Sequence, residues 1–282
     1  MNVSNAPNQV ASRFVRAAGL RWQVQVMGAG PALLLLHGTG SSTHSWRGVL
    51  PLLAAHYTVI APDLPGHGGT ECPATARLSL PGMARALQGL LQVLDVRPVA
   101  AAGHSAGAAI LARMALDGAI APRSITSFNG AFLPLQGVAA QVFSPLARVL
   151  VGLPGVPKLF AWQAARPGTV ERLLEGTGST LDAEGVALYA RLVANPAHVQ
   201  AALGMMAQWD LVPLVRDLPR LAPRLLLVAG AADRSVPPAQ AQQVAVMVPG
   251  ARVVIQPGLG HLSHEEQPAQ AAALILEHAT IG

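Results

Sequence analysis

The chain has 282 residues, enough for one α/β domain with an insertion and a large buried core. Apolar residues make up 51% of it and charged ones only 12%, yet no stretch of ~20 residues is apolar and uncharged enough to span a bilayer. The net charge of +5 comes from arginines scattered along the chain, with Lys158 the only lysine; the clustered basic face of a nucleic-acid binder is missing, so no nucleic-acid partner is expected.

The amino terminus is polar (Asn2, Ser4, Asn5, Asn8, Gln9) and lacks the apolar segment of a secretory signal. A single cysteine, Cys72, rules out an internal disulfide and suits a reducing compartment. The expected location is the cytoplasm, with peripheral membrane association left open by the mild attraction of arginines for anionic lipid. Residues to about Gly30, where Trp22, Val24 and Val26 alternate, predict an edge hairpin. Apolar runs then alternate with helical patterns: a strand over Ala32–Leu36, a helix near Trp46–Ala54, a strand over Tyr57–Ala61, a helix near Leu80–Leu94, a strand over Val99–Ala102, a helix from Ala106 and a strand over Ser124–Phe128. The rhythm breaks between about Pro134 and Asp210, and strands resume at Leu225–Ala229 and Arg252–Ile255. Short buried strands alternating with helices predict a mostly parallel sheet covered on both faces. Ligands of such sheets bind beyond the carboxyl ends of the strands.

The chemistry-bearing residues fall on those ends. Gly103-His104-Ser105-Ala106-Gly107 is a G-x-S-x-G turn between a strand and a helix, which projects the serine oxygen and aims the Ala106 N–H at a developing oxyanion. A hydroxyl is a poor nucleophile until a base takes its proton, and the resulting imidazolium needs an anion behind it. Asp233 follows the strand ending at Ala229, and His261 follows Gly258-Leu259-Gly260, so acid and base arrive in the order Ser, Asp, His. The position after Phe128 is Asn129, not a carboxylate, which leaves Asp233 the better acid. No phosphate loop, dinucleotide fingerprint or metal-ligand spacing is present, so the expected reaction needs no cofactor and no metal.

Two further motifs join these. Leu33-Leu34-Leu35-Leu36-His37-Gly38-Thr39-Gly40 is a strand ending in an H-G turn, and Asp63-Leu64-Pro65-Gly66-His67-Gly68 is a D-x-x-G-x-G loop. With Gly260-His261 and Glu266-Gln267-Pro268 as a G-H-x-x-x-x-E-x-P ending, the ordered set resembles the α/β-hydrolase superfamily along almost the whole chain. The resemblance implies an eight-stranded, mostly parallel sheet with a helical cap: core over 1–133, cap over 134–210, core again over 211–282. It also implies Ser105 as nucleophile, His261 as base and Asp233 as acid, with the N–H groups of Thr39 and Ala106 as the oxyanion hole. His37 is expected to brace the oxyanion turn, and Asp63 to organise its loop. The stretches His37 to Trp46, Phe128 to Phe132 and Gly258 to Pro268 are similar, more narrowly, to the magnesium-chelatase accessory hydrolase of bacteriochlorophyll biosynthesis.

Between Pro134 and Ala165 only Arg148 and Lys158 are charged, and Val142, Phe143, Leu146, Val149, Leu150 and Leu153 form a helical stripe. Val199, Leu203 and Met206 mark one face of a later helix, and Ala202, Met205 and Trp209 an adjacent one. Half of these residues serve ordinary packing; the rest predict a roomy, water-poor pocket lined by His37, His44, Phe132, Phe143, Met205, Met206 and Trp209. The expected activity is therefore hydrolysis of an ester-like bond in a bulky apolar substrate. The narrower resemblance implies protoporphyrin or a derivative as that partner, magnesium-chelatase subunits as protein partners, and a place beside magnesium-protoporphyrin formation. Two alternatives stand: a non-catalytic tetrapyrrole binding or delivery protein, and a small-ester, carbon–carbon-bond or peroxidase-type hydrolase.

Overall fold

The computed structural model describes residues 7–134, 155, 162, 163, 166 and 168–280. Its eight strands are β1 (Ser12–Ala17), β2 (Leu20–Met27), β3 (Ala32–Leu36), β4 (Thr58–Pro62), β5 (Ala100–His104), β6 (Ser124–Phe128), β7 (Arg224–Gly230) and β8 (Arg252–Gln256). They form one sheet in the order β1-β2-β4-β3-β5-β6-β7-β8. The β1–β2 and β2–β4 pairs are antiparallel and all the others parallel.

The helices of the described residues are α1 (Leu50–Leu53), α2 (Leu80–Val93), α3 (Ala106–Leu116), α4 (Thr169–Gly176), α5 (Ala183–Val193), α6 (Pro196–Ala207), α7 (Val212–Asp217), α8 (Ala239–Met247), α9 (Ser263–Glu266) and α10 (Pro268–Thr280). Strand β3 shows how the layers arise. Alternate side chains of a strand point to opposite faces, so Leu34 and Leu36 join Leu87 of α2, Ile110 of α3 and Leu214 of α7 on one side. Leu33 and Leu35 join Leu50 of α1 and Ile275 of α10 on the other. All four leucines are fully buried, which is why the run reads as unbroken apolar sequence. Helices α4 to α6 fall between β6 and β7, after the segment rich in Val, Leu and Phe; Phe143 and its apolar stripe lie outside the described residues.

Two expectations are corrected. The helix near Trp46–Ala54 shrinks to Leu50–Leu53, preceded by a 3₁₀ turn over Thr43–Trp46. The i→i−3 bonds of that turn, from Arg47 to His44 and from Val49 to Trp46, take up the backbone before Leu50, while the Thr43 N–H goes to Asp63 and the Ser45 hydroxyl to Glu265. In α6 the buried positions are His198, Ala201, Gly204 and Met205, whereas Val199, Leu203 and Met206 are only half-buried. The helix is turned so that a histidine, not the valine, faces inward. Hydropathy alone favours the valine; the hydrogen bonds His198 makes inside reverse the choice.

Register places the site. His104 of β5 stands beside Phe128 of β6, and Phe128 beside Val228 of β7. The loops after β5, β6 and β7 therefore leave the sheet side by side, each at the carboxyl end of its strand.

Candidate active site

Ser105 sits between β5 and α3 with φ 50° and ψ −117°, a conformation that costs a non-glycine residue about 1–3 kcal/mol. Its backbone is pinned by three hydrogen bonds: its N–H donates to the Phe128 carbonyl (3.0 Å), and its carbonyl accepts from Ala108 (3.2 Å) and Ala131 (3.1 Å). The turn is so tight that neighbouring backbones leave no room for side chains. A Cβ on Gly107 would run into the carbonyl oxygens of Leu36 and His37, and one on Gly38 would stand 3.1 Å from Ser105 Cβ. The first N–H of a helix has no intrahelical partner, and the Ala106 N–H, which opens α3, has no hydrogen-bond partner among the described residues. The Thr39 N–H likewise has no hydrogen-bond partner among the described residues.

Asp233 and His261 meet across the loops after β7 and β8, with His261 Nδ1 2.8 Å from Asp233 Oδ2. The carboxylate is crowded with donors. Oδ1 accepts from the N–H groups of Ser235 (2.7 Å) and Val236 (2.9 Å), and Oδ2 also accepts from Asn129 Nδ2 at 2.8 Å. A carboxylate held by so many donors has one orientation, and it fixes which histidine nitrogen carries the proton. The His261 loop is tied as well: His104 Nε2 lies 2.9 Å from the His261 carbonyl oxygen, and the two rings stand 4.7 Å apart. Because a carbonyl only accepts, His104 carries its proton on Nε2. His104 thus links the neighbour of Ser105 to the backbone of His261. Among the described residues no hydrogen bond joins Ser105 Oγ to His261, a contact that tightens in many enzymes only with substrate present.

His37 bridges two backbone segments. Its Nε2 accepts from the Leu64 N–H (2.9 Å), so its Nδ1 bears the proton and donates to the Gly38 carbonyl (2.8 Å). Burial is the main reason its pKa falls to about 3, leaving the ring neutral. Asp63 organises its loop by accepting from Thr43 (2.7 Å) and Gly69 (2.8 Å). His44 is 4% exposed, with Nδ1 2.8 Å from Ser42 Oγ and Nε2 without a hydrogen-bond partner among the described residues. Phe132 and Met205 are fully buried in the main core, and Trp209 packs partly buried against it. The hydroxyl of half-buried Thr39 donates to Met205 Sδ at 3.5 Å. Among the described residues no three His, Cys, Asp or Glu side chains converge as a metal site requires.

Several residues of the site carry no sequence motif. Glu265 is buried and accepts from Ser45 (2.6 Å), Tyr189 (2.7 Å) and Arg47 (2.9 Å). Burial pushes its carboxyl up to about 7 against the lowering pull of those donors. His264 Nε2 lies 2.8 Å from Ser45 Oγ, and the His264 ring stacks 4.4 Å from that of His104. A polar chain therefore runs from α5 through Glu265 and Ser45 to the ring that holds His261.

A model of the alpha/beta hydrolase family matches residues 33–274. The magnesium-chelatase 30 kDa subunit of Rhodobacter capsulatus is 42% identical over 97% of this chain and 96% of its own. The chain belongs to the alpha/beta hydrolase family. Solved structures agree in fold. An α/β hydrolase fold protein from Burkholderia ambifaria, 24% identical, matches with a TM-score of 0.77 over 95% of this chain and 97% of that one. An epoxide hydrolase without ligand, 21% identical, matches with a TM-score of 0.81 over the same shares. Among the described residues of this α/β hydrolase, no helix is long and apolar enough to cross a membrane.

Proposed function

We propose that this chain is a cofactor-free serine hydrolase. His261 takes the proton of Ser105, the serine oxygen attacks an ester-like carbonyl, and the N–H groups of Thr39 and Ala106 hold the oxyanion. The imidazolium returns its proton to the leaving alcohol; water, deprotonated by the same ring, then frees the acid and restores the serine. Asp233 keeps His261 in the required tautomer and stabilises its charge. One observation carries the reading: Ser105 is held at positive φ on the turn after β5, while the adjacent His104 grips the backbone of a histidine bonded to a buried aspartate.

For the substrate, the reading is a bulky apolar molecule under a cap spanning 134–210, with protoporphyrin or its magnesium or ester derivatives as the candidates and the chelatase subunits as protein partners. The charge-poor stretch from Pro134 to Ala165 and the likeness to the Rhodobacter capsulatus chelatase subunit support it. The net charge of +5 suits work in the cytoplasm beside an anionic lipid surface. That same likeness favours a second reading, a tetrapyrrole-binding or delivery protein that performs no chemistry.

Two measurements separate them. A fluorophosphonate probe should label the native protein and not Ser105→Ala; equal labelling of both, or none of either, removes Ser105 as nucleophile. Titration with protoporphyrin, followed by its absorbance and by tryptophan quenching, should saturate in the micromolar range. Binding without labelling leaves the delivery reading. Labelling without binding, together with brisk turnover in a panel of short esters, peracids and carbon–carbon-cleavage substrates, leaves a small-substrate hydrolase.

A further inference from the structure

The oxyanion loop is a turn whose every residue is held from outside. The Ser41 N–H closes it onto the Gly38 carbonyl (3.3 Å), and Gly40 takes φ 77°, the left-handed value that glycine adopts without strain. Helices α5 and α6 then reach each of three consecutive residues. Met205 Sδ receives the Thr39 hydroxyl, His198 Nε2 lies 3.1 Å from the Gly40 carbonyl oxygen, and the Tyr189 hydroxyl lies 3.2 Å from Ser41 Oγ.

His198 is the member with backbone on both sides. Its Nδ1 accepts from the Gly68 N–H (3.3 Å), so its Nε2 bears the proton that goes to Gly40. The ring is 3% exposed and faces His67 edge-on at 5.2 Å. Among the described residues His198 is the only hydrogen-bond partner of the Gly40 carbonyl.

Peptide planarity makes that bond matter. A peptide's C=O and the next residue's N–H share one plane, so fixing one aims the other. His198 holds the Gly40 carbonyl and thereby aims the Ser41 N–H at the Gly38 carbonyl. That carbonyl, gripped also by His37, lies in the plane of the Thr39 N–H. The orientation of Thr39 N–H thus depends on two neutral histidines, one from the core and one from the insertion.

We propose that His198 is a positioning residue for the oxyanion hole, so that the helices between β6 and β7 set the geometry of transition-state stabilisation as well as covering the site. This rests on the serine-hydrolase reading above.

The test compares His198→Gln, whose amide nitrogen can still donate to Gly40, with His198→Asn, which falls short of it, and with His198→Leu. Each is assayed with a chromogenic ester for kcat and KM, and with an alkyl boronic acid, which forms a tetrahedral adduct on Ser105. Losing a whole oxyanion donor costs about 10²–10³ in kcat, so a misaimed donor should cost about 10–100-fold in the Asn and Leu variants. KM should stay within about threefold, boronate affinity should fall by the same factor as kcat, and the Gln variant should recover most of both. Thermal melts followed by circular dichroism separate misplacement from unfolding; should Leu unfold, the polar Gln–Asn pair carries the comparison. Equal kcat in Gln and Asn, or a kcat loss with unchanged boronate affinity, overturns the proposal. A native protein that neither reacts with fluorophosphonate nor turns over ester fails earlier, at the serine-hydrolase reading, and takes this inference with it.

Discussion

Asn129 donates a 2.8 Å hydrogen bond from Nδ2 to Asp233 Oδ2, the same oxygen that faces His261 Nδ1. The amide does more than fill the place after β6. Nδ2 also reaches the Gly260 carbonyl (3.3 Å), and Oδ1 accepts from the Ser263 hydroxyl (2.8 Å), so one side chain ties the acid to the chain on both sides of His261. Asn129 is 1% exposed, and water cannot replace these bonds.

Replacing Asn129 by leucine should therefore loosen acid and base together. Leaving buried partners unsatisfied costs about 1–3 kcal/mol per group, and ester turnover should drop at least about tenfold as His261 loses its fixed orientation. Urea melts and kcat of Asn129→Leu check both effects. A variant with native turnover would confine Asn129 to packing.

Removing the proposed base or the proposed acid tests the serine-hydrolase reading directly. His261→Ala should lower kcat by at least ~10³-fold, because the serine loses its proton acceptor. Asp233→Asn should lower it by orders of magnitude while the fold survives, since the amide still fills the site. Unchanged turnover of a chromogenic ester in Asp233→Asn would place the acid elsewhere.

Gly107→Ala should fail by geometry alone. The added methyl meets the Leu36 and His37 carbonyl oxygens at the carboxyl end of β3. Overpacking of this kind costs about 1–3 kcal/mol or more, and rigid backbone on both sides leaves it no escape. Soluble yield and the urea midpoint should both fall; a native midpoint would mean that α3 can shift away from β3.

Acid should destabilise the protein. Burial lowers His37 and His264 from 6.5 to about 3, so between those pH values the unfolded chain binds protons that the native chain does not. Stability from these two groups is complete above pH 6.5 and is lost as pH falls towards about 3. Burial also lowers His44, His67, His104 and His198. Glu265, raised from 4.5 to about 7, acts in the opposite sense: its share falls as pH rises through that window. Buried Asp63, also raised, opposes the histidines as well. These six lowered histidines outnumber the two raised carboxyls, so unfolding takes up protons and stability falls as pH drops below about 6.5. Urea melts at pH 7.5, 6 and 5 should show the decline, and a flat profile would mean that the buried rings titrate in the native state.

The sequence by itself determined the layered architecture and the residues that stand at the strand ends of the candidate site. Buried parallel strands must be short and apolar, and strands such as Ala32–Leu36 and Ser124–Phe128 were legible to the residue for that reason. The placement of Ser105, Asp233 and His261 just past strand ends was legible because short apolar runs mark those ends and glycines mark where backbones must pass closely. Only the tertiary structure decided what holds those groups in place. Nothing local marks Asn129 as the partner of Asp233, Glu265 as the acceptor for Ser45 and Tyr189, or His198 as the inward-facing residue of α6. Their partners lie tens to hundreds of residues away, and a polar side chain in a helix or loop reads as surface until a distant donor or acceptor meets it. The same holds just before Trp46, where the 3₁₀ turn over Thr43–Trp46 is anchored to Asp63 and Glu265 by hydrogen bonds available only in the folded chain.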